Sequence, residues 1–234
     1  MILPSPPDDR TLARKLAWPV SFSFMPGLDT LYVSCDPQAR RHTITVPSDR
    51  REPVRWMELQ HEFAHCLLAE TIHHLFAGTT FARNSNKELM QAIAPACRVA
   101  TDWYVDHVIY TRWPQEGREE IEELLRLYLG LSRQKKASLS PTLAWGLVLC
   151  YAQGLQYKAH KGLVRRFRQA FPDVDSLARK TFLRHPPDNP TAKGLVTLIN
   201  RILKVASGGK LSAHLIVDGS LEVLEVRHKN GQKI

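Results

Sequence analysis

The 234-residue chain has no apolar run approaching the roughly 18 residues that a membrane-spanning helix needs. Its opening stretch, MILPSPPDDR, has proline and aspartate where a secretory signal needs basic and then apolar residues. These two absences set the expectation of a soluble, cytoplasmic protein. Cysteine is sparse: Cys35, Cys66, Cys97 and Cys150 are widely separated and form no CxxC pair, which argues against a thiolate metal cage or a disulfide framework and for reduced thiols. Low-complexity tracts and internal repeats are missing, and 44% hydrophobic residues are enough for a buried core, so general disorder is excluded. Cys66 does adjoin His65, but neighbours on a helix diverge by about 100°, which rules out a nucleophile and base pair.

Charge is present and unevenly placed. The net charge is +9, and the stretch 158–210 holds 12 basic against 3 acidic side chains, while the remainder of the chain is balanced. Lys161, Arg165, Arg166, Arg168, Arg179, Lys180 and Arg184 belong to it. A solvated helical face explains such a stretch as readily as contact with nucleic acid or an acidic partner does. Few aromatics interleave these positions, which disfavours stacking on single strands.

Periodicity and punctuation predict the elements. Residues 31–36 (LYVSCD) and 42–46 (HTITV), joined by a turn at 37–40, read as a β-hairpin. From 53 to 76, Trp56, Leu59, Phe63, Leu67 and Ile72 recur at helical spacing, with Gly78 as the stop. A second helix is expected over 87–112, with Pro95 inside it, then helices at 116–132 and 141–157 and shorter basic ones at 161–171, 174–184 and 191–206. Residues 213–217 and 221–228 flank Asp218-Gly219-Ser220 as a closing hairpin. The expected class is α+β and helix-dominated: a small N-terminal antiparallel sheet, a C-terminal helical lobe and a terminal β-hairpin. The expected division is a core over 1–114 and a basic helical lobe over 115–234, either as two parts or as one continuous domain.

The most specific chemistry lies in His61-Glu62-Phe63-Ala64-His65. An HExxH string has a chance expectation of about 0.02 in a chain of this length and composition. Residues four apart on a helix point the same way, so His61 and His65 can offer two imidazole nitrogens to one cation. Glu62 projects beside them, placed to take a proton from water. A catalytic zinc takes three protein ligands, so a third donor is needed. Glu70, His73, His74, Glu88, Asp102, Asp106 and His107 are the candidates. If the first helix ran to Gly78 and the second returned antiparallel from Lys87, the motif centre would meet Asp102. Asp106, one turn further on the same face, would orient a liganding histidine, although either aspartate can serve as the ligand. Glu70 is rotated off the imidazole face and reads as a surface or capping residue. His107 and Tyr104 are candidate transition-state donors, with Tyr110 a similar one.

These residues, with Ala100-Thr101-Asp102-Trp103-Tyr104-Val105-Asp106, resemble the zincin metallopeptidases on their gluzincin side. There a strand pair precedes the HExxH helix, and a following helix supplies an acidic ligand and a second acidic residue one turn later. The resemblance covers about residues 30–110. It implies a zincin-like core, Zn²⁺ and hydrolysis of peptide bonds, hence a protein or peptide substrate. An aspartate stands where thermolysin-like enzymes use glutamate, and the chain from 115 onward matches no pattern of the family. The sequence therefore leads to a zinc metallopeptidase with Glu62 as general base and His61, His65 and Asp102 as ligands. The alternative is a DNA-associated or regulatory binding protein with a vestigial core, acting through 158–210.

Overall fold

The computed structural model describes residues 11–133 and 140–228. The opening stretch 1–10, read above for a signal, lies outside them. Among the described residues the class is α+β, with seven α-helices, a three-stranded sheet and a two-stranded hairpin. No helix there is long and apolar enough to cross a membrane. The chain divides into two compact units, one up to Gly78 and one from Thr79 onward.

The first unit holds β1 (Val20–Met25), β2 (Tyr32–Asp36), β3 (Arg41–Pro47) and α1 (Trp56–Thr71). β2 and β3 form the expected antiparallel hairpin, with Val33 opposite Ile44 and Cys35 opposite His42. The sheet as a whole is mixed, not antiparallel throughout: β1 pairs in parallel with β3, Phe22 opposite Ile44, and makes β3 the central strand. The signal for β1 was the period-two run VSFSFM, which alternates small polar with apolar side chains. As the central strand, β3 is the most buried of the three, with Ile44 and Val46 fully enclosed. Against this layer α1 buries Leu59, Phe63, Ala64, Cys66 and Leu68, and it packs on β2.

Buried polar groups tie the ends of this unit together. Gln60 is fully buried, and its side-chain oxygen accepts the Leu12 amide at 2.8 Å, which pins the short 3-10 turn Leu12–Lys15 to the helix. At the N-terminus of α1, Glu58 accepts from the Arg55 amide at 3.4 Å and pairs with Arg50 at 2.5 Å. The C-terminus comes earlier than the periodicity predicts. α1 ends at Thr71, where the hydroxyl donates to the Leu67 carbonyl at 2.5 Å and the Ile72 and His73 amides both return to the Leu68 carbonyl. That shared carbonyl closes the helix. A 3-10 turn, His74–Phe76, follows, with Nδ1 of His73 accepting the Leu75 amide at 3.3 Å. The break removes the assumption that α1 runs on to Gly78.

The second unit holds α2 (Lys87–Arg112), α3 (Pro114–Arg133), α4 (Pro141–Gln156), α5 (Lys161–Ala170), α6 (Val174–Lys180), α7 (Ala192–Ala206), β4 (Leu211–Asp218) and β5 (Leu221–His228). The Asn86 side chain caps α2 by accepting the Glu88 and Leu89 amides. Pro95 sits within an otherwise continuous helix. α2 packs against α3, α4 and α7, and Trp103 meets Phe182 with ring centroids 5.4 Å apart. The helix expected over 174–184 is split: α6 ends at Lys180 and a 3-10 turn, Phe182–Arg184, follows, with the Thr181 hydroxyl donating to Leu177. The terminal hairpin forms as expected, but its two-residue loop is Gly219-Ser220, with φ of 69° at Gly219. Glycine at the first central position suits the twist of the flanking strands. Asn200 of α7 pairs with both backbone groups of Ala213, each at 2.8 Å, and so fastens the hairpin to the helix. Phe182→Ala empties a fully enclosed site and should lower unfolding stability by about 3–5 kcal/mol in urea denaturation. A loss below about 1 kcal/mol would mean that Phe182 is not a core anchor.

Candidate metal centre

His61 and His65 lie one turn apart on α1, both half-buried, with their Nε2 atoms 3.1 Å apart and their rings nearly perpendicular at 73°. His65 Nδ1 bonds to the carbonyl oxygen of Phe76. A carbonyl only accepts, so Nδ1 carries the proton and the lone pair is left on Nε2. The early end of α1 makes this contact, because the 3-10 turn folds Phe76 back beside the helix. Metal-liganding histidines take this arrangement, donating the far N–H to a carbonyl and thereby fixing the tautomer.

The donor chemistry fits a zinc-sized cation. Two nitrogens about 2.0–2.1 Å from one tetrahedral ion sit about 3.3 Å from each other, close to the 3.1 Å observed. Glu62, only 6% exposed, follows His61 directly on the buried side of α1. The other cysteine-bearing surroundings offer no competing nucleophile: all four cysteines are free, and burial raises the Cys66 thiol far above its ordinary value.

The remaining candidates fall in different environments. Glu70 has a buried side chain, in contrast to the surface position expected. It accepts the Ala17 and Trp18 amides at 2.8 and 3.0 Å and meets His42 Nε2 at 3.3 Å. Glu70 thus anchors the chain segment after the 3-10 turn and caps no helix end in these contacts. His73 and His74 follow the end of α1 and stack on one another at 4.4 Å. Glu88 is exposed in the first turn of α2.

In the second unit Asp102 is half-buried on α2. Asp106, one turn later and 8% exposed, accepts from the Gln153 amide nitrogen of α4 at 2.5 Å. Tyr104 lies two residues from Asp102, a rotation of about 200° on the helix. Its ring meets His185 edge-on at 6.1 Å, and burial raises its hydroxyl pKa. His107 receives the phenol of Tyr157 at Nδ1, 2.8 Å away, and faces Asp188 from Nε2 at 3.5 Å. Burial lowers its pKa, and Asp188 works against that. Tyr110 is fully buried, and desolvation raises its pKa well above the ordinary range. Comparison with protein-family models, with curated proteins and with solved structures finds no match.

Two polar partnerships escaped the reading of the sequence. Gln153 is the one amide on the buried side of an otherwise apolar helix, and that oddity was the available signal for a partner such as Asp106. His42 is fully buried, stacked on Trp18 at 5.3 Å and bonded to Glu70, and nothing local in HTITV marks it. Desolvation holds the His42 pKa below its ordinary value, outweighing the opposing pull of Glu70. Beside it the Cys35 thiol is pushed up to about 11 by burial and by the Asp36 and Glu70 charges.

The unfolded chain takes up a proton at His42 near pH 6.5 that the folded chain resists, so this contribution is intact above about pH 6.5 and is lost as pH falls toward the lower folded value. Urea midpoints measured at about pH 7.5 and about pH 5 should therefore fall further for the wild type than for His42→Phe. Equal falls would remove His42 as a source of acid sensitivity. Gln153→Leu withdraws a donor from a buried carboxylate and should cost about 1–3 kcal/mol, read by the same denaturation. An unchanged midpoint would show that this bond contributes nothing net.

Proposed function

We propose that the chain is a zinc-dependent peptidase in which His61, His65 and Asp102 hold the ion and Glu62 is the general base. The observation that carries this reading is the imidazole pair. Its two Nε2 atoms are separated by the spacing of ligands on one ion, and His65 is locked by the Phe76 carbonyl into the tautomer that a ligand needs. Asp102 enters from its position on α2 and from the need for a third donor that leaves the fourth position open.

When bound, the ion supplies Lewis-acid polarisation of a peptide carbonyl and acidifies water. Glu62 accepts the proton of the attacking water and returns it to the leaving amine. It lies on the buried side of α1, one residue from His61. Gln153 holds Asp106 in place, and Asp106 is the residue proposed to orient a liganding histidine. The outer strands β1 and β2 offer main-chain groups to which an extended peptide could add.

Purified wild-type protein should contain about one equivalent of zinc by elemental analysis, and His61→Ala, His65→Ala and Asp102→Ala should each lose it. Full metal content in Asp102→Ala would remove that residue from the ligand set. Glu62→Gln should keep the metal and lose about 10²–10⁴-fold in hydrolysis of a peptide substrate. A Glu62→Gln variant as active as the wild type would overturn the general-base assignment.

A further inference from the structure

A cleft of about 410 Å³ opens where α4, α5 and α6 meet, within the range of about 300–1,000 Å³ typical of small-molecule sites. Its floor is buried and largely apolar, built from Gly154, Ala159 and Val164. Its rim carries Lys158, Lys161, Arg165, Arg168 and Arg179. The basic stretch seen in the sequence is therefore not spread evenly over helical faces. Lys161, Arg165 and Arg168 occupy positions i, i+4 and i+7 of α5 and form one stripe along the cleft, while α5 contains no acidic residue. Lys158 precedes them in left-handed backbone conformation, with φ of 57°.

Among the described residues Asp175 is the only carboxylate lining the cleft, and both of its oxygens are engaged. Oδ1 accepts the Tyr151 hydroxyl at 3.0 Å and Oδ2 accepts Arg179 Nε at 2.9 Å. The Tyr151 phenol is pushed up to about 12 by burial and by this carboxylate, so it stays protonated and donates. Arg179 is thus neutralised locally. Arg168 feels the Asp175 carboxylate only at longer range, behind the Arg179 and Tyr151 contacts, and Lys158, Lys161 and Arg165 line the same cleft.

Four like charges around an apolar recess repel one another, and low-dielectric walls concentrate their positive potential into the recess. An anion relieves both effects. From Lys161 to Arg168 the stripe extends about 10 Å along the helix axis, longer than one phosphate and matched to a chain of them. The two guanidinium forks suit phosphate oxygens in pairs, and the lysines add point charges. We propose that this cleft binds a small ligand carrying a polyphosphate group, held by Lys158, Lys161, Arg165 and Arg168. A nucleic-acid backbone is the poorer fit, because these cations line a recess floored by Val164 and Gly154, whereas a duplex lies along an open surface. All of these residues belong to the second unit, and the inference does not rest on the peptidase reading.

Titration calorimetry on the whole chain tests the proposal, with sodium tripolyphosphate and ATP as separate probes at low ionic strength. Both should bind, and Arg165→Gln/Arg168→Gln, which alters two exposed side chains, should weaken each by about tenfold or more. Arg166→Gln/Lys180→Gln removes the same charge from exposed positions outside the cleft and should leave the affinity within about twofold. Equal affinity for the two probes identifies the polyphosphate alone as the ligand group, and tighter ATP binding identifies a nucleoside polyphosphate; either result supports the site. The proposal is overturned if neither probe binds, if the two double variants weaken binding equally, or if a short DNA duplex binds more tightly than tripolyphosphate.

Discussion

The bond from His65 Nδ1 to the Phe76 carbonyl is the constraint on which the candidate centre depends. Two imidazoles four residues apart on a helix share a face in many proteins, but sharing a face leaves each ring free to rotate and to choose its tautomer. A backbone acceptor removes that freedom for His65, and it exists only because α1 stops at Thr71 and the chain doubles back through a 3-10 turn. A helix continued to residue 76 would have carried that carbonyl several turns away along the axis. The local end of one helix therefore determines the chemistry available in its middle.

The same economy governs the other buried polar groups. Gln60 holds a turn from nearly fifty residues earlier, Glu70 gathers two backbone amides and a buried histidine, and Gln153 meets a buried aspartate. Each is an unpaired donor or acceptor in the isolated element and a satisfied one in the fold, which is the condition under which burial of polar groups is tolerated. Asn200 performs the equivalent task at the terminal hairpin by matching both hydrogen-bonding groups of one residue. These contacts also give the polar positions of otherwise apolar helices a physical reason.

Charge in the second unit is organised by helix geometry. The basic stretch has its excess because acidic residues are scarce there, and the cations that line the cleft of α4, α5 and α6 are gathered around a common recess. Asp175, which would otherwise compensate them, is held by Tyr151 and Arg179. A count along the chain does not distinguish these residues from Arg166 and Lys180, which carry the same charge and lie outside the cleft.

Much was legible in the residues alone. The α+β class, the β2–β3 hairpin, the long α2, the apolar α4, the closing hairpin and the pairing of His61 with His65 all follow from periods of 2 or 3.6 and from punctuation, which are properties of neighbouring residues. The parallel partner strand β1, the break after Thr71 and the split at Thr181 depended on hydrogen bonds that only the folded backbone offers. The Phe76 carbonyl, the Gln153 amide and the burial of Glu70 are contacts between residues distant along the helix or the chain, and no local period encodes them. Sequence determined which side chains share a helix face, because helix geometry is universal. Tertiary structure decided which proton each one carries, which charges face a common recess and which polar groups find partners, because those depend on what the rest of the chain places beside them.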